Sequence, residues 1–271
     1  MAIVGVDSSR PARLLDFFAA AGNPALGRVT HVVGLDGTDP EPLARRYGVT
    51  TTVRDVRDLP GSVDAALLCT RDGREHAAQA LPLLAAGIPV WVDKPLATRE
   101  ADARAMTREA VARGLLLACR SGFRDADAVR AAAMQVRAAE GPASLEITGP
   151  AAPDSPYGGL AHYGIHHVEL ACEVLEQARG GRPRSVAEVT ADSARLVGDD
   201  VTLDLRFRPP AECTGFTLAV NGDVRPVTAP ARYLEEQVED FLTGIGEGRG
   251  TRDPEALVDP VRLLEGILTT G

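Results

Sequence analysis

The chain has 271 residues, of which 45% are hydrophobic and 25% charged, and its formal net charge is -9. Such proportions belong to an ordinary globular protein of one large or two smaller domains. The acidic balance argues against nucleic acid or an anionic membrane as partner, because both select a basic face. Cys69, Cys119, Cys172 and Cys213 stand singly, with no Cys-x-x-Cys pair, which speaks against a disulfide framework or a thiolate zinc site and suits a reducing cytoplasm. The apolar start, Ala2 to Val6, is too short for a signal peptide, and no apolar run is long enough to cross a bilayer.

The first 119 residues alternate short apolar runs with amphipathic segments. Ala2 to Val6 reads as a strand; Asp7, Ser8 and Ser9 offer N-cap oxygens to a helix beginning near Pro11. His31 to Leu35 is a second strand, ended by Asp36-Gly37, and Thr51 to Val53 a short one after a helix over Leu43 to Tyr47. Val63 to Cys69 is apolar almost throughout, as a strand covered on both faces must be. A helix from Glu75 to Ala86, a strand at Val90 to Val92, a helix from Arg99 to Arg113 and an apolar run at Leu115 to Ala118 complete the pattern. Repeated strand-helix units with short connections predict a doubly wound parallel, Rossmann-like sheet in an α/β protein.

After Cys119 the pattern changes. Helices are predicted over Asp125 to Ala139 and Ile165 to Ala178, with a Pro/Gly-rich loop from Gly149 to Gly159 between them. Strands follow at Val186 to Arg195, Val201 to Phe207, Phe216 to Val220 and Val224 to Val227, the last two joined by the hairpin signal Asn221-Gly222. Two helices, Tyr233 to Ile245 and Pro254 to Leu268, close the chain. The expected division is a dinucleotide-binding domain over 1–119 and an α+β domain over 120–271, its sheet mainly antiparallel, that shapes the substrate site.

Three stretches carry candidate chemistry. In the first strand-helix turn, Gly5-Val6-Asp7-Ser8-Ser9-Arg10 keeps only the first glycine of a Gly-x-Gly-x-x-Gly phosphate loop. Ser8, Ser9 and the helix N-terminus can donate to phosphate, whereas Asp7 repels it if it faces the site; Asp7 as a plain helix cap is the alternative. Asp36 is a candidate for the ribose hydroxyls, favouring NAD over NADP, though it lies farther from Gly5 than the roughly 20 positions usual for that acid. Lys94 ends the Val90 to Val92 strand just before Pro95, at the carboxyl edge where open α/β sheets take ligands; a solvated strand-end lysine is the plainer alternative. The third stretch, Gly158 to Glu169, holds three of the chain's five histidines, His162, His166 and His167. On a helix His162 and His166 share a face, with Glu169 one turn beyond. That arrangement suits, in order, a general base, a packed helix start, or a metal pair that lacks further ligands.

Asp93-Lys94-Pro95, preceded by His76-Ala77-Ala78-Gln79-Ala80 and Leu84-Ala85-Ala86-Gly87, resembles the Glu-Lys-Pro motif of the glucose-fructose oxidoreductase / inositol dehydrogenase / rhizopine-catabolism oxidoreductase family. Residues 158 to 169 resemble that family's Gly-Gly stretch leading into Asp-x-x-x-His, with His166 in the histidine's place and His162 in the aspartate's. The resemblance implies an NAD(P)-dependent oxidoreductase acting on a small hydroxylated or carbonyl compound, such as a sugar or cyclitol, in a cleft between the domains. Lys94 would orient the reacting oxygen, His166 would exchange the proton, and His162 would stand beside them. The nucleotide would be held by Gly5, Ser8, Ser9, Asp36, Thr70, Arg71, Asp93 and Lys94, and the protein would be a homodimer or homotetramer. Two alternatives keep the fold: a cofactor-independent acid/base enzyme (elimination, isomerisation or cyclisation), and a ligand-binding subunit without turnover.

Overall fold

The computed structural model describes residues 1–21, 26–35 and 37–270. It contains two compact units, Met1–Ala97 with Ala101–Cys119 and Leu234–Val258, and Thr98–Glu100 with Arg120–Tyr233 and Asp259–Gly271.

The first unit is built on six strands, β1 (Ala2–Val4), β2 (His31–Val33), β3 (Thr51–Val53), β4 (Ala66–Leu68), β5 (Val90–Val92) and β6 (Leu117–Ala118). They form one sheet in the order β3-β2-β1-β4-β5-β6, every pairing parallel. Ile3, Val32, Leu67, Leu68, Val90 and Val92 have no exposed surface, which is why these strands read as continuous apolar runs. Helices α1 (Arg10–Ala21), α2 (Glu41–Tyr47), α3 (His76–Ala85) and α4 (Glu100–Ala112) supply the crossovers. The chain order reverses between β1 and β4, so the crevice beyond their carboxyl ends is where a doubly wound sheet receives its ligand.

The second unit carries α5 (Asp127–Ala138), β7 (Ala143–Pro150), α6 (Ala161–Arg179), β8 (Ser185–Val189), β9 (Ser193–Val197), β10 (Val201–Arg208), β11 (Phe216–Val220) and β12 (Asp223–Val227). Its sheet runs β12-β11-β7-β10-β9-β8 and is antiparallel except for the β7–β10 pair. Ala143, Leu145 and Ile147 of β7 and Val201, Leu203 and Leu205 of β10 join Val168, Ala171 and Leu175 of α6 in one apolar core.

Three sequence expectations are corrected. The single strand expected over Val186 to Arg195 is a hairpin, turned by Thr190 and Ser193: the Thr190 N–H donates to the Ser193 carbonyl at 2.9 Å, and Thr190 Oγ1 bonds Asp192 at 3.1 Å. β7 was not expected; its Ser-Leu-Glu-Ile-Thr alternation precedes, and partly enters, the stretch read as a loop from Gly149. The terminal helices are α7 (Tyr233–Gly246) and α8 (Pro254–Thr270), and Leu234–Val258 belong to the first unit rather than the second. Contacts far apart in sequence hold them there: Arg13 bonds Glu235 at 2.7 Å, and Thr251 Oγ1 accepts from Leu117 N and donates to the Leu115 carbonyl, each at 2.9 Å.

Candidate active site

In the first unit the candidate residues gather at the carboxyl ends of β1, β4 and β5. Gly5 has φ +82°, and a Cβ there would lie 2.5 Å from Thr70 Oγ1 and 2.7 Å from Thr70 N. A glycine is therefore required twice over, for the turn and for the approach of the β4 end. Ser8 Oγ donates to the Cys69 carbonyl at 3.2 Å and accepts from Arg10 N at 3.3 Å, so it ties the turn to the end of β4 and caps α1. Ser9 is exposed. Thr70 Oγ1 donates to Gln79 Oε1 at 2.8 Å, and Arg71 N donates to Asp7 Oδ2 at 3.3 Å. The other Asp7 oxygen, Oδ1, is buried with no hydrogen-bond partner among the described residues. Asp93 pairs with Arg10 at 3.2 Å. Burial, then Asp93, pushes the Cys69 thiol far above its usual range, with Asp7 adding to the effect and Arg10 opposing it. Cys69 is thus an uncharged packing residue. Asp36 lies outside the described residues.

Lys94 is only 8% exposed, and the Lys94-Pro95 peptide is cis. Its loop is flanked by a residue that sequence reading noticed only as part of a pattern. The His76 ring lies between the segments after β4 and β5, with Nδ1 2.7 Å from the Pro95 carbonyl and Nε2 2.9 Å from the Thr70 carbonyl, and the nitrogen that carries the proton donates to the carbonyl it faces.

In the second unit the helix α6 begins earlier than predicted, so His162, His166 and Glu169 do occupy one helix. The three histidines have different surroundings. His167 is fully buried and its Nε2 donates to the Arg206 carbonyl at 3.1 Å; burial lowers its pKa to about 4 against the pull of backbone acceptors, which keeps it neutral. His162 lies against Tyr157 and Tyr163, with ring centroids 5.3 and 5.1 Å away. His166 is 5% exposed and is edged by Phe123 at 5.0 Å, Tyr163 at 5.6 Å and Phe216 at 5.6 Å. Its Nδ1 lies 2.6 Å from Ser121 Oγ, whose residue sequence reading missed altogether. Ser121 N donates to Glu169 Oε2 at 2.6 Å, and Arg124 lies 3.7 Å from that carboxylate and 2.5 Å from Glu173. Burial would lower the Arg124 pKa, but Glu169 and Glu173 together raise it, so this cluster is a charged anchor beneath the site.

Among the described residues no group of three or more His, Cys, Asp or Glu side chains is arranged to hold a metal. A dinucleotide suits the backbone of the first unit: the strand order, the Gly5 turn and the start of α1 are the parts that accept a pyrophosphate. Asp7 is the departure, a carboxylate bonded to the Arg71 N–H.

Residues 1–121 match the family described as oxidoreductase with an NAD-binding Rossmann fold. No curated protein matches the chain. Among solved structures, the WlbA (WbpB) dehydrogenase from Thermus thermophilus, in complex with NAD and UDP-GlcNAcA, is 17% identical with a TM-score of 0.73 over 97% of this chain and 92% of its own. KijD10, a 3-ketoreductase from Actinomadura kijaniata in complex with NADP and TDP-benzene, is 18% identical with a TM-score of 0.74 over 99% and 96%. The myo-inositol 2-dehydrogenase from Lactobacillus plantarum is 16% identical with a TM-score of 0.73 over 99% and 96%. At such identities the likeness shows the fold. Over residues 1–121 the chain is thus similar to the oxidoreductase family with an NAD-binding Rossmann fold, the glucose-fructose oxidoreductase / inositol dehydrogenase / MocA family that its two motifs also resemble.

Proposed function

We propose that this oxidoreductase moves a hydride between a nicotinamide nucleotide, NAD or NADP, and a small hydroxylated or carbonyl compound such as a sugar or cyclitol derivative. The observation that carries the reading is the pairing of a Rossmann-order sheet with a buried lysine at the end of β5. The nucleotide supplies the hydride acceptor or donor when bound. Gly5, Ser8 and Ser9, the Thr70-Arg71 segment, and Asp93 with Lys94 are the residues assigned to hold it, with Asp36 assigned to the ribose.

Lys94 contributes an ammonium that orients the reacting oxygen and stabilises negative charge developing on it. His166 exchanges the proton of that oxygen, and the aromatic edges of Phe123, Tyr163 and Phe216 keep its ring in one plane. His162 adds a second imidazole where the family motif carries an acid, which disfavours further positive charge close by. Four free cysteines support a reducing compartment, the cytoplasm. The family resemblance supports a homodimer or homotetramer, which sedimentation of the purified chain decides.

Asp7 supports a second reading, a cofactor-independent acid/base enzyme on the same fold, because an orphaned carboxylate oxygen in the phosphate turn opposes a pyrophosphate. Titration with NADH and NADPH, followed by nicotinamide fluorescence or heat, separates the two. Micromolar binding is the expected result; no binding at millimolar nucleotide removes the redox reading. With binding established, Lys94→Ala and His166→Ala are each expected to lower turnover by about 10²–10⁴-fold; nucleotide affinity stays within about threefold in His166→Ala and weakens in Lys94→Ala, which also loses a nucleotide contact. Unchanged turnover in both variants refutes the roles.

A further inference from the structure

We propose that Ser121 is a positioning residue for His166, holding the proton of the neutral imidazole on Nε2. His166 then meets an oxygen as a hydrogen-bond donor, and it enters proton exchange from its minor tautomer. The proposal rests on the placement of His166 at the reacting oxygen, but its test needs no turnover.

The argument is a count of donors and acceptors. Ser121 has no exposed surface. A hydroxyl offers one proton and two lone pairs. One lone pair accepts from Phe123 N at 3.2 Å, the bond that caps the 3-10 turn Gly122–Asp125. Among the described residues the Ser121 proton has a single acceptor within reach, Nδ1 of His166 at 2.6 Å. If the neutral imidazole carries its proton on Nδ1, the Ser121 proton is left buried with no acceptor, an arrangement that proteins avoid. If Nδ1 keeps its lone pair, Phe123 N–H donates to Oγ, Oγ–H donates to Nδ1, and every group is satisfied. The neutral ring then carries its hydrogen on Nε2.

A carboxylate in the place of Ser121 would do the reverse. It can only accept, so it would draw the proton to Nδ1 and leave the Nε2 lone pair as a ready base. A hydroxyl anchored by an N–H makes the opposite selection. The anchor is firm: Ser121 N is bonded to Glu169 at 2.6 Å, so the peptide cannot withdraw the hydroxyl from the ring. Phe123 meets His166 edge-on at an interplanar angle of 88°, which opposes rotation of the imidazole out of this contact.

The test is long-range proton–nitrogen correlation on the full chain with ¹⁵N-labelled histidine, at a pH where the imidazoles are neutral. His166→Gln assigns the signal by its loss from the five. Expected is the Nε2–H pattern for His166 in at least tenfold excess, lost in Ser121→Ala. A predominant Nδ1–H pattern in the wild type overturns the proposal, as does an unaltered excess in Ser121→Ala. Should Ser121→Ala fail to fold, the wild type still decides it: coupling of the Ser121 hydroxyl proton to His166 Nδ1 supports the proposal, and a proton on Nδ1 ends it. Absence of nucleotide binding would instead remove the redox reading and leave the tautomer measurement standing.

Discussion

Neighbouring histidines on α6 have separate tasks because the helix aims them at different surroundings. His167 points into the sheet and stays neutral, its pKa lowered by burial from 6.5 to about 4. The sign of the pH dependence follows. Above pH 6.5 neither the folded nor the unfolded chain protonates this ring, and its contribution to stability is complete. As pH falls from 6.5 towards 4 the unfolded chain takes up the proton first, so stability declines, by about 3 kcal/mol when the window has been crossed. Denaturant unfolding near neutral pH and at about pH 4.5 should show that decline, and His167→Gln should remove most of it. Asp7 poses the converse case, a carboxylate whose Oδ2 holds the Arg71 N–H while Oδ1 has no described partner. Asp7→Asn keeps an acceptor for that N–H and removes the charge. NADH affinity should then rise by roughly fivefold, about 1 kcal/mol of relieved repulsion, as read by fluorescence titration. Weaker binding in the variant would show that the carboxylate assists the nucleotide.

At the scale of elements, the site in the second unit depends on β7, a strand whose alternation is short and ends in Gly149-Pro150. A Cβ on Gly149 would lie 2.2 Å from the Phe216 ring, the ring that also edges His166 and His167. Gly149→Ala should therefore cost about 1–3 kcal/mol through overpacking, measured as a lowered denaturation midpoint. The same variant should broaden or shift the His166 resonances, because the ring that moves is its neighbour. Strands such as β4 and β5 were legible since burial on both faces leaves them uniformly apolar. β7 was not, because one face of its sheet carries Ser144, Glu146 and Thr148 and its end looks like a loop. Likewise the β8–β9 turn lacks glycine and is closed by Thr190, Asp192 and Ser193 side chains, a device that leaves the run looking continuous.

At the scale of the whole molecule, a nucleotide that binds only the folded chain must stabilise it, by about 2.7 kcal/mol at a hundredfold excess over Kd. A thermal melt with saturating NADH or NADPH should shift upward, and the nucleotide giving the larger shift at equal concentration is the preferred one; no shift with either would contradict nucleotide binding. Among the described residues no helix is long and apolar enough to cross a membrane. By itself the sequence determined the α/β class, the parallel sheet, the strand-end lysine and the histidine-bearing helix. Each of these is written in local periodicity or in a short motif, where neighbours in sequence are also neighbours in space. Only the tertiary structure decided that Leu234–Val258 joins the first unit, that His76 lies between the Thr70 and Pro95 carbonyls, and that Ser121 meets His166. Those are single contacts between residues far apart along the chain. No pattern in sequence encodes them, because they exist only once packing has brought the partners within hydrogen-bond reach.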